Sequence, residues 1–192
     1  TGRRALITGA SMGIGYALAR GLAAAGATVV LNARDARRLE AAAAALREQG
    51  ANVETSVFDV TDGAGVRAAV DQMETEGRAI DILVNNAGMQ HRGPLEDFPE
   101  EAFDRLMKTN VYSAFFVGQA VARHMIGRGR GKILNIASVQ TALARPGIAP
   151  YTATKGAVAN LTKGMATDWA KYGLNCNAIA PGFIETEMTE SL

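Results

Sequence analysis

Three side chains in this chain have the types and the spacing needed for a proton-transfer reaction. Tyr151 and Lys155 are four residues apart, so on a helix they lie one turn apart on the same face. An ammonium near a phenol stabilises the phenolate, which lowers the phenol pKa and frees its proton near neutral pH. Ser138 precedes Tyr151, and its hydroxyl is suited to orient the substrate oxygen that exchanges this proton. The three residues therefore predict proton transfer at a substrate oxygen.

A glycine-rich turn near the start of the chain predicts a phosphate-binding site. Backbone N–H groups and the dipole at a helix start favour a phosphate, and glycines allow its close approach. The spacing is Gly-x-x-x-Gly-x-Gly, and a plain connection between a strand and a helix is the alternative. The position after the first strand favours dinucleotide binding. The residues assigned to this turn are Gly9, Ser11, Met12, Gly13, Ile14 and Gly15.

The end of the second strand indicates which dinucleotide is bound. An acidic residue there accepts hydrogen bonds from the ribose of NAD, whereas an arginine accommodates the 2′-phosphate of NADP. Ala33 occupies the acidic position and Arg34 follows it. We therefore predict NADP(H) as the cofactor. The alternatives are that Arg34 is only a solvated residue at a helix start and that Asp35 caps that helix.

Strands that are apolar almost throughout alternate with helical patterns along the chain. This alternation predicts an α/β fold, a Rossmann-type doubly wound parallel sheet with helices on both faces. The predicted strands span 4–8, 27–32, 52–58, 80–84, 131–136 and 175–180. The predicted helices cover 13–25, a segment ending at Gly50, 65–76, two pieces within 99–127 that meet near Asn110, and 150–172. Loops 88–99 and 137–150 follow strand ends, where ligands bind in open α/β sheets.

The composition limits the classes of partner. The 192 residues fit a single domain, 1–192, and 20 basic against 19 acidic residues do not favour nucleic acid. No apolar run suggests a membrane span, and Cys176 alone excludes an intrachain disulfide, so we expect a cytoplasmic protein. His91 and His124 lack neighbours at metal-ligand spacing, so we predict no metal.

The order and spacing of these motifs resemble the short-chain dehydrogenase/reductase family along the whole chain. The resemblance implies that Asp59 and Val60 contact the adenine, and that Lys155 binds the nicotinamide ribose. It implies that Asn110 completes the catalytic set with Ser138, Tyr151 and Lys155 by holding a water beside Lys155. Further cofactor-binding residues implied by the family pattern are Asn86, Ala87, Gly88, Pro181, Gly182, Ile184 and Thr186.

The segments 95–99, 144–156 and 164–170 are similar to gluconate 5-dehydrogenases within this family. That similarity implies an NADP(H)-dependent interconversion of D-gluconate and 5-keto-D-gluconate, with Gln140 and Arg145 as candidates for binding the sugar acid. A general carbonyl or 3-ketoacyl reductase is one alternative, since it shares the catalytic residues. A non-catalytic nucleotide-binding scaffold on the same fold is another.

The resemblance also bears on assembly and on chain length. The segments 111–125 and 151–170 carry more apolar residues than one inward stripe needs, and in the family they pack against a partner subunit. We therefore expect a homodimer or homotetramer. Members of the family usually continue with a substrate loop, further helices and a last strand, which the sequence up to Leu192 does not include. We expect the sequence to be part of a longer chain, because a sheet without its closing strand exposes an edge.

Overall fold

Six parallel strands form one sheet. The computed structural model describes residues 2–75 and 78–184. The strand order is β3-β2-β1-β4-β5-β6. The four inner strands are buried along most of their length, whereas β3 and β6, at the two edges, have several exposed positions. The bounds are β1 Arg4–Ile7, β2 Thr28–Ala33, β3 Val53–Val57, β4 Ile82–Asn85, β5 Gly131–Ile136 and β6 Leu174–Ile179.

Helices connect successive strands and cover both faces of the sheet. Their bounds are α1 Gly13–Ala24, α2 Ala36–Glu48, α3 Gly63–Thr75, α4 Glu100–Met107, α5 Ser113–Arg128 and α6 Ala149–Trp169. Asp35 caps α2, because its side chain accepts hydrogen bonds from the backbone N–H groups of Arg37 and Arg38. This confirms that Asp35 caps the helix, while Arg34 still lines the cavity described below.

The core consists of two apolar layers, one on each face of the sheet. Successive residues of a strand point to opposite faces, so Leu6 packs with α3, α5 and α6, while its neighbour Ile7 packs with α1 and α2. Both side chains are fully buried. The layers hold the strands in register and leave the carboxyl ends of β1 and β4 side by side.

The architecture confirms the predicted doubly wound α/β fold, with element bounds that differ by a few residues. The predicted junction near Asn110 is a π-helical turn, Lys108–Tyr112, that joins α4 and α5 without an intervening loop. A short 3₁₀ turn, Val139–Thr141, interrupts the loop after β5. Within residues 2–75 and 78–184, no helix has both the length and the apolar character to cross a membrane.

Candidate active site

A cavity of about 1060 Å³ opens at the carboxyl ends of the strands. The sheet order reverses between β1 and β4, and in open α/β sheets this switch point is where ligands bind. The walls come from the segments that follow β1, β2, β3, β4, β5 and β6, and from the start of α6. Residues that are far apart in sequence therefore line one cavity.

The glycine turn forms one wall of this cavity. Gly9 and Gly13 have φ angles of +62° and +56°, in the left-handed region that favours glycine. Helix α1 then starts after Met12, with no side-chain cap and no acidic residue in its first turn. Its first N–H groups therefore remain available to an anion. The predicted residues that line the cavity here are Gly9, Ser11, Met12, Gly13 and Ile14.

Gly15 does not line the cavity but makes the turn possible. A Cβ atom on Gly15 would lie 2.4 Å from both Asn86 Nδ2 and the carbonyl oxygen of Gly9. Asn86 Nδ2 donates hydrogen bonds to the carbonyl oxygens of Thr8 (3.0 Å) and Gly9 (3.1 Å). Thr8 Oγ1 in turn accepts from the backbone N–H groups of Asn86 and Ala87. Hydrogen bonds thus hold the segment after β4 against the glycine turn. Three residues of that segment, Asn86, Ala87 and Gly88, line the cavity.

The predicted 2′-phosphate residue lies at the end of β2. Arg34 lines the cavity, and its guanidinium is 3.7 Å from Asp59 Oδ2, with 75% of the arginine side chain exposed. Burial alone would raise the pKa of Asp59, but hydrogen bonds from Thr61 and the charge of Arg34 lower it below its ordinary value. Asp59 and Val60, which the resemblance assigns to contacts with the adenine, also line the cavity. This end of the cavity therefore offers an exposed cation beside a carboxylate that is held by hydrogen bonds from Thr61.

The reactive residues meet at the opposite end of the cavity, between β5 and α6. Ser138, Tyr151 and Lys155 all line it. Lys155 is 6% exposed, and its Nζ donates a hydrogen bond to the carbonyl oxygen of Ile136 at 2.8 Å. The same Nζ lies 5.7 Å from the centre of the Tyr151 ring. The one-turn spacing predicted from the sequence is therefore realised on α6.

The electrostatics of this group differ from the sequence-based expectation. Burial raises the pKa of Tyr151, and the hydrogen bond with Ser138 and the charge of Arg145 oppose this only in part. Burial also lowers the pKa of Lys155 to about 8, because an ammonium is costly in an apolar setting. Without cofactor, the phenol is therefore protonated at neutral pH and ready to donate a proton.

Asn110 lies behind the cavity and not on its wall. It is 2% exposed within the π-helical turn, and its Oδ1 accepts from the backbone N–H of Met89 at 2.8 Å. Its Nδ2 donates to the carbonyl oxygen of Met89 and to Thr154 Oγ1, both at 3.0 Å. A Cβ on Gly88 would lie 3.4 Å from Asn110 Oδ1 and 3.7 Å from Lys155 Nζ, so both atoms border the space beside Gly88.

The remaining predicted residues line the cavity, except for one that lies outside the described residues. Gln140 and Arg145, the candidates for sugar-acid binding, line the cavity on the segment after β5, as do Pro181, Gly182 and Ile184 after β6. Thr186 lies outside the described residues. Arg145 is exposed, and its charge acts on the Tyr151 hydroxyl. The structure thus brings a permanent cation to the reactive end of the cavity.

Sequence reasoning missed several residues of the site. Arg38 lines the cavity beside Arg34, and Met89 and Gln90 line it after the Asn-Asn-Ala-Gly segment. Arg38 lies four residues after Arg34, and Met89 and Gln90 directly follow Gly88 in sequence. A systematic search of the first residues after each strand end would have found Met89 and Gln90.

The residues present fit a dinucleotide. A side chain at Gly9 or Gly15 would collide with the turn or with the segment after β4, so the turn needs glycine at both positions. Of the two, Gly9 lines the cavity, where its backbone can approach a pyrophosphate. Cations and uncapped N–H groups are placed along the cavity where phosphates would bind. Among the described residues, no group of three or more His, Cys, Asp or Glu side chains is arranged to hold a metal ion.

Comparisons with known proteins place this site in a family. Residues 3–192 match the model of the short chain dehydrogenases. The chain is 62% identical over 192 residues to a gluconate 5-dehydrogenase from Gluconobacter oxydans, covering all of this chain and 75% of that protein. It is 44% identical over 191 residues to a 5-keto-D-gluconate 5-reductase from Escherichia coli K12, again covering all of this chain and 75% of the relative.

A solved structure agrees with these relatives. The crystal structure of a gluconate 5-dehydrogenase from Burkholderia cenocepacia in complex with NADP and tartrate superposes with a TM-score of 0.96 at 56% identity. The match covers all of this chain and 75% of that one. The motifs, the cavity and the sheet topology agree with these findings, and this chain belongs to the short-chain dehydrogenase family.

Proposed function

We propose that this protein is an NADP(H)-dependent oxidoreductase that interconverts a secondary alcohol and a ketone, with D-gluconate and 5-keto-D-gluconate as the substrate pair. The observation that carries the proposal is the meeting of Ser138, Tyr151 and Lys155 at one end of a cavity whose other end carries the glycine turn and Arg34. The names of the two relatives support the substrate pair. The NADP in the Burkholderia structure, and Ala33 in place of an acidic residue, support the cofactor.

When bound, NADP(H) supplies or accepts the hydride, and the chain supplies the proton and the geometry. In the direction of reduction, Tyr151 donates its proton to the substrate oxygen as negative charge develops there. The raised pKa of Tyr151 keeps this proton in place until then. Ser138 donates a hydrogen bond to the same oxygen and orients the carbonyl. In oxidation, the phenolate takes the proton back.

Lys155 stabilises the phenolate that remains after proton transfer. Its Nζ is held by the Ile136 carbonyl close to the Tyr151 ring. The pKa of about 8 keeps most of this amine charged at neutral pH, so the charge acts when the phenolate forms. We propose that a water beside Gly88, bordered by Asn110 Oδ1 and Lys155 Nζ, returns the proton. This assigns Asn110 the role that the resemblance implied.

Arg145 and Gln140 are proposed to bind the sugar acid. Both line the cavity on the segment that runs from Ser138 towards Tyr151. A carboxylate needs a positive partner, and an arginine offers two parallel N–H donors to it. Gln140 offers donors and an acceptor for hydroxyl groups. A sugar acid bound in this way would present one of its carbons beside Tyr151.

The proposal extends to assembly. Tyr112, just before α5, and Phe115, on α5, are 46% and 42% exposed, and large apolar side chains exposed close together mark an interaction surface. We propose that this surface is covered in a homodimer or homotetramer, and light scattering at micromolar concentration tests it. A monomeric mass would contradict this part. The single domain and the cytoplasmic location remain predictions from the sequence.

Steady-state kinetics with a substrate panel test the proposed activity. Purified protein is assayed with NADPH and NADH against 5-keto-D-gluconate, an uncharged ketone and a 3-ketoacyl thioester. We expect the highest kcat/KM for NADPH with 5-keto-D-gluconate. A higher value for the thioester would favour the ketoacyl reductase alternative. NADPH binding by fluorescence without turnover of any ketone would favour the non-catalytic scaffold.

A further inference from the structure

A hydrogen bond between two buried side chains links β5 to α6 below the cavity. Asn135 is 0% exposed and Thr162 is 5% exposed. Asn135 Nδ2 donates to Thr162 Oγ1 at 2.8 Å and lies 3.6 Å from the sulfur of Met165. The surroundings are apolar, since Ile133, Met165 and Val117 belong to the core layer on this face of the sheet. Polar groups in such a place are costly unless they are paired, so their presence calls for a function or a structural need.

The bond is part of a network that joins four elements. Asn85 on β4 donates through Nδ2 to Asn135 Oδ1 at 2.9 Å and to the carbonyl oxygen of Ala114 on α5 at 3.3 Å. Thr162 Oγ1 completes the chain by donating to the carbonyl oxygen of Val158 on its own helix at 2.7 Å. The direction of each bond is therefore fixed from β4 through β5 to α6.

The two elements joined by Asn135 and Thr162 are the ones that carry the reactive groups. Ile136, directly after Asn135, provides the carbonyl that accepts the hydrogen bond from Lys155, and Ser138 follows on the same segment. Thr162 lies about two turns after Lys155 along α6, which places both on one face of the helix. Helix α6 is thus bonded to β5 at two levels, at Lys155 beside the cavity and at Thr162 below it.

We propose that the Asn135–Thr162 pair positions Tyr151 and Lys155 against Ser138 by fixing how α6 is placed along β5. Apolar contacts are not directional, so the core alone would let the helix slide or rotate slightly. A buried hydrogen bond is directional and holds one register. A small displacement of α6 moves the Tyr151 hydroxyl away from the substrate oxygen, and reaction rates are very sensitive to such a displacement. The inference rests on the proposed oxidoreductase function.

A purely structural role makes a different prediction. In that case, loss of the hydrogen bond lowers the free energy of unfolding, but folded molecules react at the normal rate. In a positioning role, folded molecules bind NADPH normally and react slowly. The two cases are separated by rates measured on fully folded protein.

The test is Thr162→Val, which keeps the shape of the side chain and removes its hydroxyl. The matched control is Thr167→Val, because Thr167 is exposed on the same helix and its hydroxyl also bonds the carbonyl four residues earlier. Thr162→Ser keeps the hydroxyl and should rescue activity. Urea unfolding first establishes that each variant is folded under assay conditions, and Thr162→Ala replaces the valine variant if that one does not fold.

We expect Thr162→Val to lower kcat about tenfold or more, with the Kd for NADPH changed by less than about twofold. The kinetic isotope effect with NADPH deuterated at C4 should rise, because the chemical step becomes more limiting. Thr162→Ser and Thr167→Val should both stay within about twofold of wild type. A folded Thr162→Val or Thr162→Ala protein with wild-type kcat and isotope effect would overturn the inference. Absence of wild-type turnover would instead refute the proposed function.

Discussion

Replacing Gly15 by alanine tests how the glycine turn is built. The added Cβ would lie 2.4 Å from Asn86 Nδ2 and from the Gly9 carbonyl oxygen, about 1 Å closer than ordinary contacts allow. Asn86 must then move, and it loses its hydrogen bonds to the carbonyl oxygens of Thr8 and Gly9. Two such bonds contribute roughly 1–3 kcal/mol in total. Alanine regains about 1 kcal/mol through its better helix propensity.

The net expectation is a loss of up to about 2 kcal/mol in the free energy of unfolding. Because the turn shifts as well, the Kd for NADPH should rise about tenfold or more, which corresponds to about 1.4 kcal/mol. Gly21→Ala is the matched control on the same helix, since a Cβ at Gly21 meets no atom within 4 Å. There the helix propensity acts alone, and we expect stabilisation by about 0.5–1 kcal/mol.

Urea unfolding and NADPH fluorescence titration measure both quantities. The reasoning fails if Gly15→Ala is as stable as Gly21→Ala and binds NADPH like the wild type. It also fails if both variants are equally destabilised, because the effect would then not come from the crowded space around Gly15.

Three other perturbations probe other parts of the molecule. Arg34→Ala should lower the ratio of kcat/KM for NADPH over NADH about tenfold, through loss of one charge-assisted contact; an unchanged ratio in steady-state assays would remove Arg34 from cofactor selection. Arg145→Ala should raise KM for 5-keto-D-gluconate much more than for an uncharged ketone, and equal effects would argue against a carboxylate contact. Burial raises the pKa of Glu54, but the hydrogen bonds and charges of Arg4 and Arg78 together outweigh it, so the pKa lies below its ordinary value of 4.5. These ion pairs therefore stabilise the fold above that pH and lose their effect as the pH falls through the lowered pKa. Urea unfolding from about pH 7 to about pH 3 should show this loss in the wild type and a flatter dependence in Glu54→Gln.

The sequence contained enough information for the fold and for the wall of the cavity. Alternating apolar strands and helices fix the layers, and short motifs directly after strands mark the ligand edge of the sheet. The bounds of β5, Gly131–Ile136, agree with the prediction. A glycine marks the start of this strand, and the loop that begins at Ala137 marks its end. The motifs and the family pattern predicted a set of cofactor-binding residues, and all of those described line the cavity except Gly15.

What the sequence could not provide depends on packing between distant elements. A π-helical turn at Lys108–Tyr112 has no local sequence signal, because its Asn110 is held by Met89 and Thr154 from elsewhere in the chain. Likewise, the expected lowering of the Tyr151 pKa considered the neighbouring ammonium but not the burial, which is the largest influence on this pKa in the fold. The hydrogen bond between Asn135 and Thr162 also joins residues far apart in sequence.

The account depends most on the hydroxyl group of Tyr151. Tyr151→Phe removes one oxygen atom and keeps the ring, so the cavity wall and the glycine turn stay in place. We expect the Kd for NADPH to remain within about threefold of wild type, while kcat for 5-keto-D-gluconate falls by about 10³-fold or more. A phenylalanine variant that retains near wild-type kcat would show that another group moves the proton, and would contradict the proposed mechanism.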